Sequence, residues 1–276
     1  ANTGLYQDQF LHMIGAAENA TTKIFTDTYK IPLRDGMAPV DSLFLDLTAY
    51  IKRRDVSVHD SVVQFFDELF PLIFHYTLND PSVMDLDEDY TDCLMGIRQE
   101  LNPKPFGDIP AHIGHQLTKS LGAARVFLEA MTLGIETINT TDYLSLDQSC
   151  TRAATRLTYC SHCEGHIDLH PCKGLCLNVM RGCLAHVSQL DASWKAFIDG
   201  LDQLTSNMKG WYDLEDAMTA FPSRVNEAIM HTMQTAHKFF PVVVKKCGHP
   251  KASSPSHGAP SRRLHTHQSR LLPPVP

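Results

Sequence analysis

Cysteine is the residue type in this chain best suited to chemistry, because its eight copies are unevenly spaced. Cys93 and Cys247 stand apart, and the other six crowd one short stretch: Cys150, Cys160, Cys163, Cys172, Cys176 and Cys183. An even number of clustered thiols favours either a disulfide framework or a thiolate zinc site. Disulfides persist in oxidising compartments and are rare in the cytosol, so the choice between the two chemistries also decides where the protein works.

Four of the clustered cysteines have a spacing that zinc sites also use. Cys160 and Cys163, followed by Cys172 and Cys176, could supply four thiolates. Three histidines near them are further candidate ligands: His162, His166 and His170. Helical spacing, however, places Cys172, Cys176 and Cys183 on one stripe that we expect to be buried, away from the loop of Cys160 and Cys163. Zinc would also leave four cysteines unexplained, so we predict disulfides, no metal and no cofactor, with zinc as the alternative.

Charge and hydropathy exclude some classes of partner. The formal net charge is −7, and the basic residues that follow Glu227 have no acidic counterpart, so the chain up to Glu227 is more acidic still. An acidic surface does not favour nucleic acid as a partner. No run of about 18 apolar residues is present, so we expect no membrane-spanning helix. The chain does not open on a signal-peptide pattern, and we expect that any signal peptide has already been removed.

Two Asn-X-Thr sequons favour passage through the secretory route. They begin at Asn19 and Asn139, and each can accept an N-linked glycan in a secreted protein. Chance also produces such tripeptides in a chain of this length, so they favour secretion without establishing it. They agree with the disulfide interpretation of the cysteines, which places the protein outside the cytosol.

The spacing of apolar residues predicts an all-α fold. These residues recur with a helical period from residue 5 to about residue 245, and few β-branched runs could serve as strands. We therefore expect one α-helical core over residues 1–247. Residues 248–276 are rich in Pro, Ser, His and Arg, so we expect a disordered tail or a cleavage linker there. Arg263 and Arg270 are its candidate protease sites.

Local signals predict several helix ends. Ser57 begins a capping box and Asp41 is a second candidate cap, each at the start of an apolar helical pattern. Pro110 and Pro222 are expected in the first turn of two further helices. Pro71 falls inside an apolar pattern, and we expect it to kink or end the helix there.

Motifs around the cysteines resemble a known family. The cysteine-rich stretch carries most of them: Tyr159–Cys163, Pro171–Cys172, Cys176–Ala185, Leu190–Asp191 and Trp194. Four more lie outside it: Asp92–Leu94, Pro105–Asp108, Ala123–Phe127 and Cys247–Lys251. Together they resemble the signature of glypican core proteins. The resemblance implies an elongated bundle of long helices held together by disulfides, with a cysteine-rich region at about residues 150–190.

The same resemblance implies how the cysteines pair. Cys93 would bond to Cys247, and Cys150 to Cys183. The remaining four would bond to parts of the protein outside this chain: Cys160 and Cys163 to a preceding segment, and Cys172 and Cys176 to a following one. The cluster would then be a junction with N- and C-terminal segments of the same protein.

Glypicans are cell-surface heparan sulfate proteoglycans held by a glycosylphosphatidylinositol (GPI) anchor, and the resemblance implies that function here. Core and sulfated chains would act as a co-receptor that regulates secreted morphogens and growth factors of the Wnt, Hedgehog, BMP and FGF classes. Such a core needs no catalysis, and the chain contains no Gly-X-Ser-X-Gly or His-Glu-X-X-His motif. It also contains no Ser-Gly dipeptide, so we expect the glycan chains and the anchor outside it.

Other functions stay open at this point. A secreted, disulfide-rich helical binding module without glycosaminoglycan would have the same cysteines. A zinc-binding intracellular adaptor would have free thiols and no N-linked glycan. An enzyme would need a polar cleft with perturbed titratable groups, which the sequence does not indicate.

One aromatic helix is the candidate site for a ligand's acyl chain, because the glypican cysteine-rich region resembles the lipid-binding region of Frizzled receptors. The helix carries six large apolar side chains: Phe65, Phe66, Leu69, Phe70, Ile73 and Phe74. We expect them to line a slot whose other wall is Val126, Phe127 or Met131. The alternative is that each is ordinary packed core.

Overall fold

The computed structural model describes residues 2–31, 33–78, 88–141, 143 and 145–248, and these residues form helices and no strand. The helices are α1 (Asn2–Lys23), α2 (Leu33–Ile51), α3 (Val58–Ile73), α4 (Glu88–Ile97), α5 (Ile109–Thr141), α6 (Gln148–Cys163), α7 (Lys173–Cys183), α8 (Asp191–Met208) and α9 (Leu214–Cys247). Short π-helical turns, Ile24–Thr28 and Phe74–Leu78, continue α1 and α3. Short 3₁₀ turns, Arg98–Glu100 and Ala185–Leu190, follow α4 and α7. The predicted all-α fold is confirmed.

Side-chain caps fix where three of these helices begin. The Ser57 hydroxyl accepts a hydrogen bond from the backbone N–H three residues later at 3.3 Å, as its capping motif predicts. Asp147 and Asp213 do the same at the starts of α6 and α9, at 2.6 and 3.1 Å. Each cap satisfies one amide that the first helical turn leaves without a partner, a contribution of typically about 1 kcal/mol.

Two predicted helix starts are wrong. Asp41 lies inside α2 and Pro222 lies inside α9, rather than at their starts. Pro71 was expected to kink or end its helix, and it lies in the last turn of α3, which ends at Ile73, where the π-helical turn Phe74–Leu78 begins. Pro71 and Pro222 are both buried, so packing of the surrounding helix face offsets the backbone hydrogen bond that each ring removes. Pro110 lies in the first turn of α5, as predicted.

The core lies where α1, α2, α3, α5 and α9 pack on one another, with α4 against α3 and α9. Aromatic rings join the helices across it. Phe44 of α2 contacts Phe221 of α9 with 5.4 Å between ring centroids, and Phe66 of α3 contacts Phe106 at 5.0 Å. Fully burying a side chain of this size contributes about 1.5–3 kcal/mol, so this aromatic cluster is a main source of the bundle's stability.

Polar contacts fasten the connector before α5 and the end of α4 to this core. The carbonyl oxygen of Pro105 accepts hydrogen bonds from the Thr232 hydroxyl and from Nδ1 of His231, both at 2.9 Å. Arg98 pairs with Asp67 of α3 in a position largely shielded from water. A buried carbonyl or carboxylate without such a donor would be costly, so these contacts fix the two segments in place.

Helices α6, α7 and α8 bury much less than the rest. α6 and α7 pack on each other, and α8 packs on α5, where the Phe197 ring lies within 3.4 Å of the space that a side chain at Gly134 would fill. α7 and α8 contain no buried residue, and α6 contains only Cys150. None of the helices in the described part of the chain combines the length and the apolar character needed to cross a membrane.

Candidate functional site

One disulfide lies in the core bundle, and a second lies between the two cysteine-rich helices. Cys93 of α4 is bonded to Cys247 at the end of α9, with 5.8 Å between their Cα atoms. Cys150 of α6 is bonded to Cys183 at the end of α7, with a Cα separation of 5.4 Å. These are the pairs that the family resemblance implies. The first closes the bundle across 154 residues of sequence, and the second fixes α7 against α6.

An ion pair accompanies the first disulfide. Lys246, next to Cys247, donates a hydrogen bond to the Glu100 carboxylate at 2.6 Å. That hydrogen bond, with the lysine's charge, lowers the pKa of Glu100 below its ordinary value. Because both groups are in contact with water, the pair is a minor contribution beside the covalent bond.

The other four thiols are not bonded to one another. Cys160, Cys163 and Cys172 are exposed, and Cys176 is half-buried. They lie at the end of α6 and around the start of α7. The expectation of a buried stripe through Cys172, Cys176 and Cys183 is wrong: Cys172 is exposed, and Cys176 and Cys183 are only half-buried, although α6 packs on α7 and is bonded to Cys183.

The geometry gives the zinc alternative no support. Among the residues that the structure describes, no three His, Cys, Asp or Glu side chains converge as a metal site. The hydrogen bonds seen at two nearby histidines are local ones: His162 lies near the Ser161 hydroxyl, and His170 near the Asp168 carbonyl. A structural zinc site has four ligands in all, each a Cys thiolate or a His imidazole, about 2.0–2.3 Å from one ion.

A groove of about 790 Å³ runs between α6 and α7 beside the free thiols. Its walls combine basic, thiol and apolar side chains, among them Arg152, Arg156, Cys160, His166, His170 and Leu175. Arg152 and Arg156 are groove residues that the cysteine pattern in the sequence does not predict. Their spacing of four residues, continued by Cys160, indicates that all three share one face of α6, and this was the available signal.

Exposed apolar side chains surround the free thiols. Tyr159, Ile167, Leu169 and Leu175 are all largely exposed, although the core encloses residues of the same kind almost completely. Exposed apolar side chains close to unpaired thiols are typical of a face that another protein segment covers.

The six aromatic and aliphatic residues of the candidate acyl slot are packed core in this structure. Phe65, Phe66, Leu69, Phe70, Ile73 and Phe74 are all almost fully buried. The Phe70 ring, for example, contacts three other rings, those of Phe74, Phe106 and Phe239, with centroids about 6 Å apart. Phe74 also contacts Tyr90, whose pKa is raised by burial. Their neighbours are therefore other core rings.

The expected second wall of the slot lies elsewhere. Val126 is 52% exposed, and Met131 is half-buried. Phe127 packs edge-on against Tyr6 and Phe10 of α1, at 5.2 and 6.4 Å between ring centroids. α3 and α5 do pack on each other. Val126, Phe127 and Met131, however, do not face an open slot between these two helices.

The remaining predicted sites are on the surface or outside the described residues. Asn19 is exposed in the second half of α1, and Asn139 is exposed near the end of α5. Arg263 and Arg270 lie outside the residues that the structure describes, as does most of the predicted tail.

Comparison with known sequences gives one consistent family. A family model described as Glypican matches residues 1–274. Human glypican-5 is 39% identical over 249 residues, which cover 90% of this chain and 43% of glypican-5. Glypican-3 of Danio rerio is 31% identical over 248 residues, 90% of this chain and 41% of the relative. The chain thus spans about two-fifths of the length of these relatives.

Solved structures share the fold. The full-length glypican-1 core protein superimposes with a TM-score of 0.71 at 25% identity, covering 93% of this chain and 59% of that one. The Drosophila Dally-like core domain gives a TM-score of 0.69 at 23% identity, covering 89% and 64%. The sequence motifs also suggested the insect Dally-like member, but at 23% this likeness is weaker than the 39% identity with human glypican-5.

Proposed function

This chain belongs to the glypican family, and from that premise we propose that it is part of the non-enzymatic core of a cell-surface heparan sulfate proteoglycan with a GPI anchor. The match of the family model to residues 1–274, on an all-α core closed by two disulfides, carries the proposal. The glycosaminoglycan chains and the anchor belong to other parts of the protein. In this proposal the core is the support to which the glycosaminoglycan chains are linked, and the anchor holds that core at the membrane surface.

Two enzymatic treatments of living cells test this function. Cells that display the tagged full-length protein are treated with heparin lyases, and the mass distribution is compared before and after. We expect a heterogeneous high-mass band to collapse to the core, with chondroitin lyase as the control that leaves it unchanged. Phosphatidylinositol-specific phospholipase C should release the protein into the medium. A discrete band that heparin lyases do not alter would instead favour a secreted binding module without glycosaminoglycan.

We propose that the ligands are secreted morphogens and growth factors of the Wnt, Hedgehog, BMP and FGF classes. The acidic, helical core and the sulfated chains offer two different surfaces, so binding can be divided between protein and sugar. Binding of each purified ligand is measured to the intact proteoglycan and to the lyase-treated core. A ligand that the core holds loses little affinity after lyase treatment, whereas one held by sulfate groups loses most of it and depends steeply on salt. Failure of all four classes to bind either form would contradict the proposal.

We further propose that the core binds an acyl chain carried by such a ligand. The Dally-like protein has been solved in complex with O-palmitoleoyl serine, at 26% identity and a TM-score of 0.61 to this chain. We propose that the aromatic face of α3 accepts a similar chain when α3 and α5 separate. Because Phe70 and its neighbours fill that space, binding requires their side chains to move aside.

A photo-crosslinkable palmitoleoyl peptide tests the acyl site. Crosslinked peptides are mapped by mass spectrometry on the full-length protein, and excess unlabelled palmitoleoyl serine serves as competitor. Labelling within residues 58–135 that the competitor removes is the expected result. Absence of label there, with label elsewhere on the chain, would exclude this region as the acyl site.

The free thiols and the groove beside them are proposed as the junction with the rest of the protein. Cys160 and Cys163 would bond to a segment that precedes this chain, and Cys172 and Cys176 to one that follows it. Three facts support this: the thiols are accessible, the helices that carry them bury little, and the chain spans 43% of human glypican-5. A covering segment would remove the exposed apolar face from water, which favours docking by about 25 cal/mol per Å².

A further inference from the structure

The two sequons occupy opposite structural settings. Asn19 is exposed, but Thr21, the hydroxyl residue of the same sequon, is fully buried in the core. The Thr21 hydroxyl donates a hydrogen bond to the Ala17 carbonyl at 2.8 Å, one helical turn back. In the folded protein, therefore, the acceptor nitrogen of this sequon is accessible while its hydroxyl is not.

The second sequon lies in the last turn of α5. Asn139, Thr140 and Thr141 are all exposed. The Thr140 and Thr141 hydroxyls donate only to carbonyls of their own helix, those of Glu136 and Ile138. Terminal helical turns fray readily, and unwinding this one removes none of these side chains from the core.

The chemistry of N-glycosylation needs both ends of a sequon. The side-chain nitrogen of Asn bonds to C1 of the first sugar of a lipid-linked donor. The bond from that C1 to the donor's pyrophosphate breaks, the lipid pyrophosphate leaves with the electron pair, and the amide loses one proton. The transferase selects Asn-X-Ser/Thr by contacting the hydroxyl residue, so a buried hydroxyl prevents selection even when the Asn is exposed.

Access to Thr21 requires part of the core to open. Unwinding α1 around it also pulls out Ala17 one turn before and Phe25 one turn after, both of which are buried. α1 packs on α2 and α9, so this opening disrupts a helix that is held on two sides. Core helices open far more rarely than fraying ends, often with the whole fold.

We propose that Asn19 can be glycosylated only before α1 packs into the core, whereas Asn139 can also be glycosylated on the folded protein. Occupancy of Asn19 then reports a competition between folding of α1 and glycan transfer. A glycan once attached at Asn19 is compatible with the fold, because that side chain faces solvent. The difference between the sites rests on geometry alone, and only its occurrence in cells rests on the proposed cell-surface function.

Transfer in vitro separates the two sites. Full-length protein is made in cells whose glycan donor synthesis is blocked, and is then offered to purified oligosaccharyltransferase with a lipid-linked oligosaccharide. One portion stays folded, and the other is unfolded by reduction and alkylation. We expect Asn19 to react at least about 100-fold more slowly in the folded than in the unfolded portion, and Asn139 to differ by less than about tenfold. Equal rates at Asn19 in the two portions would overturn the proposal.

Two variants of α1 test the cause. Ile14→Val removes one methylene from a side chain that is 1% exposed, and we expect it to raise the rate at Asn19 in the folded protein about three- to tenfold. Leu5→Ala truncates a side chain on the same helix that is 69% exposed, and it should leave the rate unchanged. A rate at Asn19 that does not respond to Ile14→Val would contradict control by packing. A protein that carries no glycan in cells would count against the secretory assignment, while the transfer experiment would still decide this inference.

Discussion

Phe70→Ala is the substitution that best distinguishes a packed core from a preformed acyl slot. Phe70 is completely buried, and its ring contacts those of Phe74, Phe106 and Phe239, which come from three parts of the chain. In a packed core, Phe→Ala leaves a cavity and costs about 3–5 kcal/mol. At a preformed slot the ring would border empty or lipid-filled space, and the loss would be much smaller.

The assay is thermal and urea unfolding of the full-length protein with its disulfides intact. About 4 kcal/mol corresponds to a fall in the melting temperature of roughly 8–16 °C for a domain of this size class. Val126→Ala, which truncates a side chain that is mostly in water, is the matched control and should cost less than about 0.5 kcal/mol. A loss below about 1 kcal/mol for Phe70→Ala would refute the packed arrangement of α3.

The other predictions concern buried charge. Arg98→Ala removes the charged partner of the Asp67 carboxylate, which then keeps a hydrogen bond from Gln99, and should lower the free energy of unfolding by about 3 kcal/mol. Arg224→Ala, in an exposed pair, should change it by less than about 0.5 kcal/mol in the same urea titration. Equal losses for the two variants would exclude burial as the cause of the difference. Partial burial and, to a lesser extent, the negative charge of Asp41 raise the pKa of Glu18 in the folded protein. Ionised Glu18 therefore lowers the stability of the fold above this pKa, and the loss of stability disappears as the pH falls through the folded pKa toward the unfolded one. Glu18→Gln should therefore raise the melting temperature at pH 7 and lose that advantage in acid, and a constant difference across the pH range would exclude this cause.

Local signals in the sequence were sufficient for the class of fold. The helical period predicts that the chain is helical almost throughout, and Ser57 predicts the start of α3 because a cap depends only on residues three positions apart. The family resemblance implied the two disulfides that the structure contains, a pairing that spacing alone does not determine.

Burial was harder to predict because it depends on what packs against each face. Pro222 reads as a helix start, yet it lies buried inside α9, where the packing of the surrounding core compensates for the hydrogen bond that its ring removes. The stripe of Cys172 and Cys176 reads as a buried face, yet α6 covers it only in part, and α7 has no buried residue. The helical period shows that a face is apolar; it does not show which partner covers that face.

The same limit applies to the candidate acyl site. The sequence correctly marks α3 as the most aromatic helix, but the partners of its rings come from distant segments, such as Phe106 and Phe239. Val126 and Phe127 are adjacent to each other in sequence and face different surroundings, one solvent and the other α1. A one-residue step on a helix turns a side chain by about 100°, so neighbours in sequence rarely share a site.

Disulfide mapping of the full-length protein under non-reducing conditions tests most directly whether this chain is one part of a glypican core. Peptides are prepared at low pH to prevent exchange and are sequenced by mass spectrometry. We predict the bonds Cys93–Cys247 and Cys150–Cys183, together with four bonds that join Cys160, Cys163, Cys172 and Cys176 to peptides outside this chain. Recovery of those four as alkylated free thiols, or as bonds among themselves, would contradict the junction.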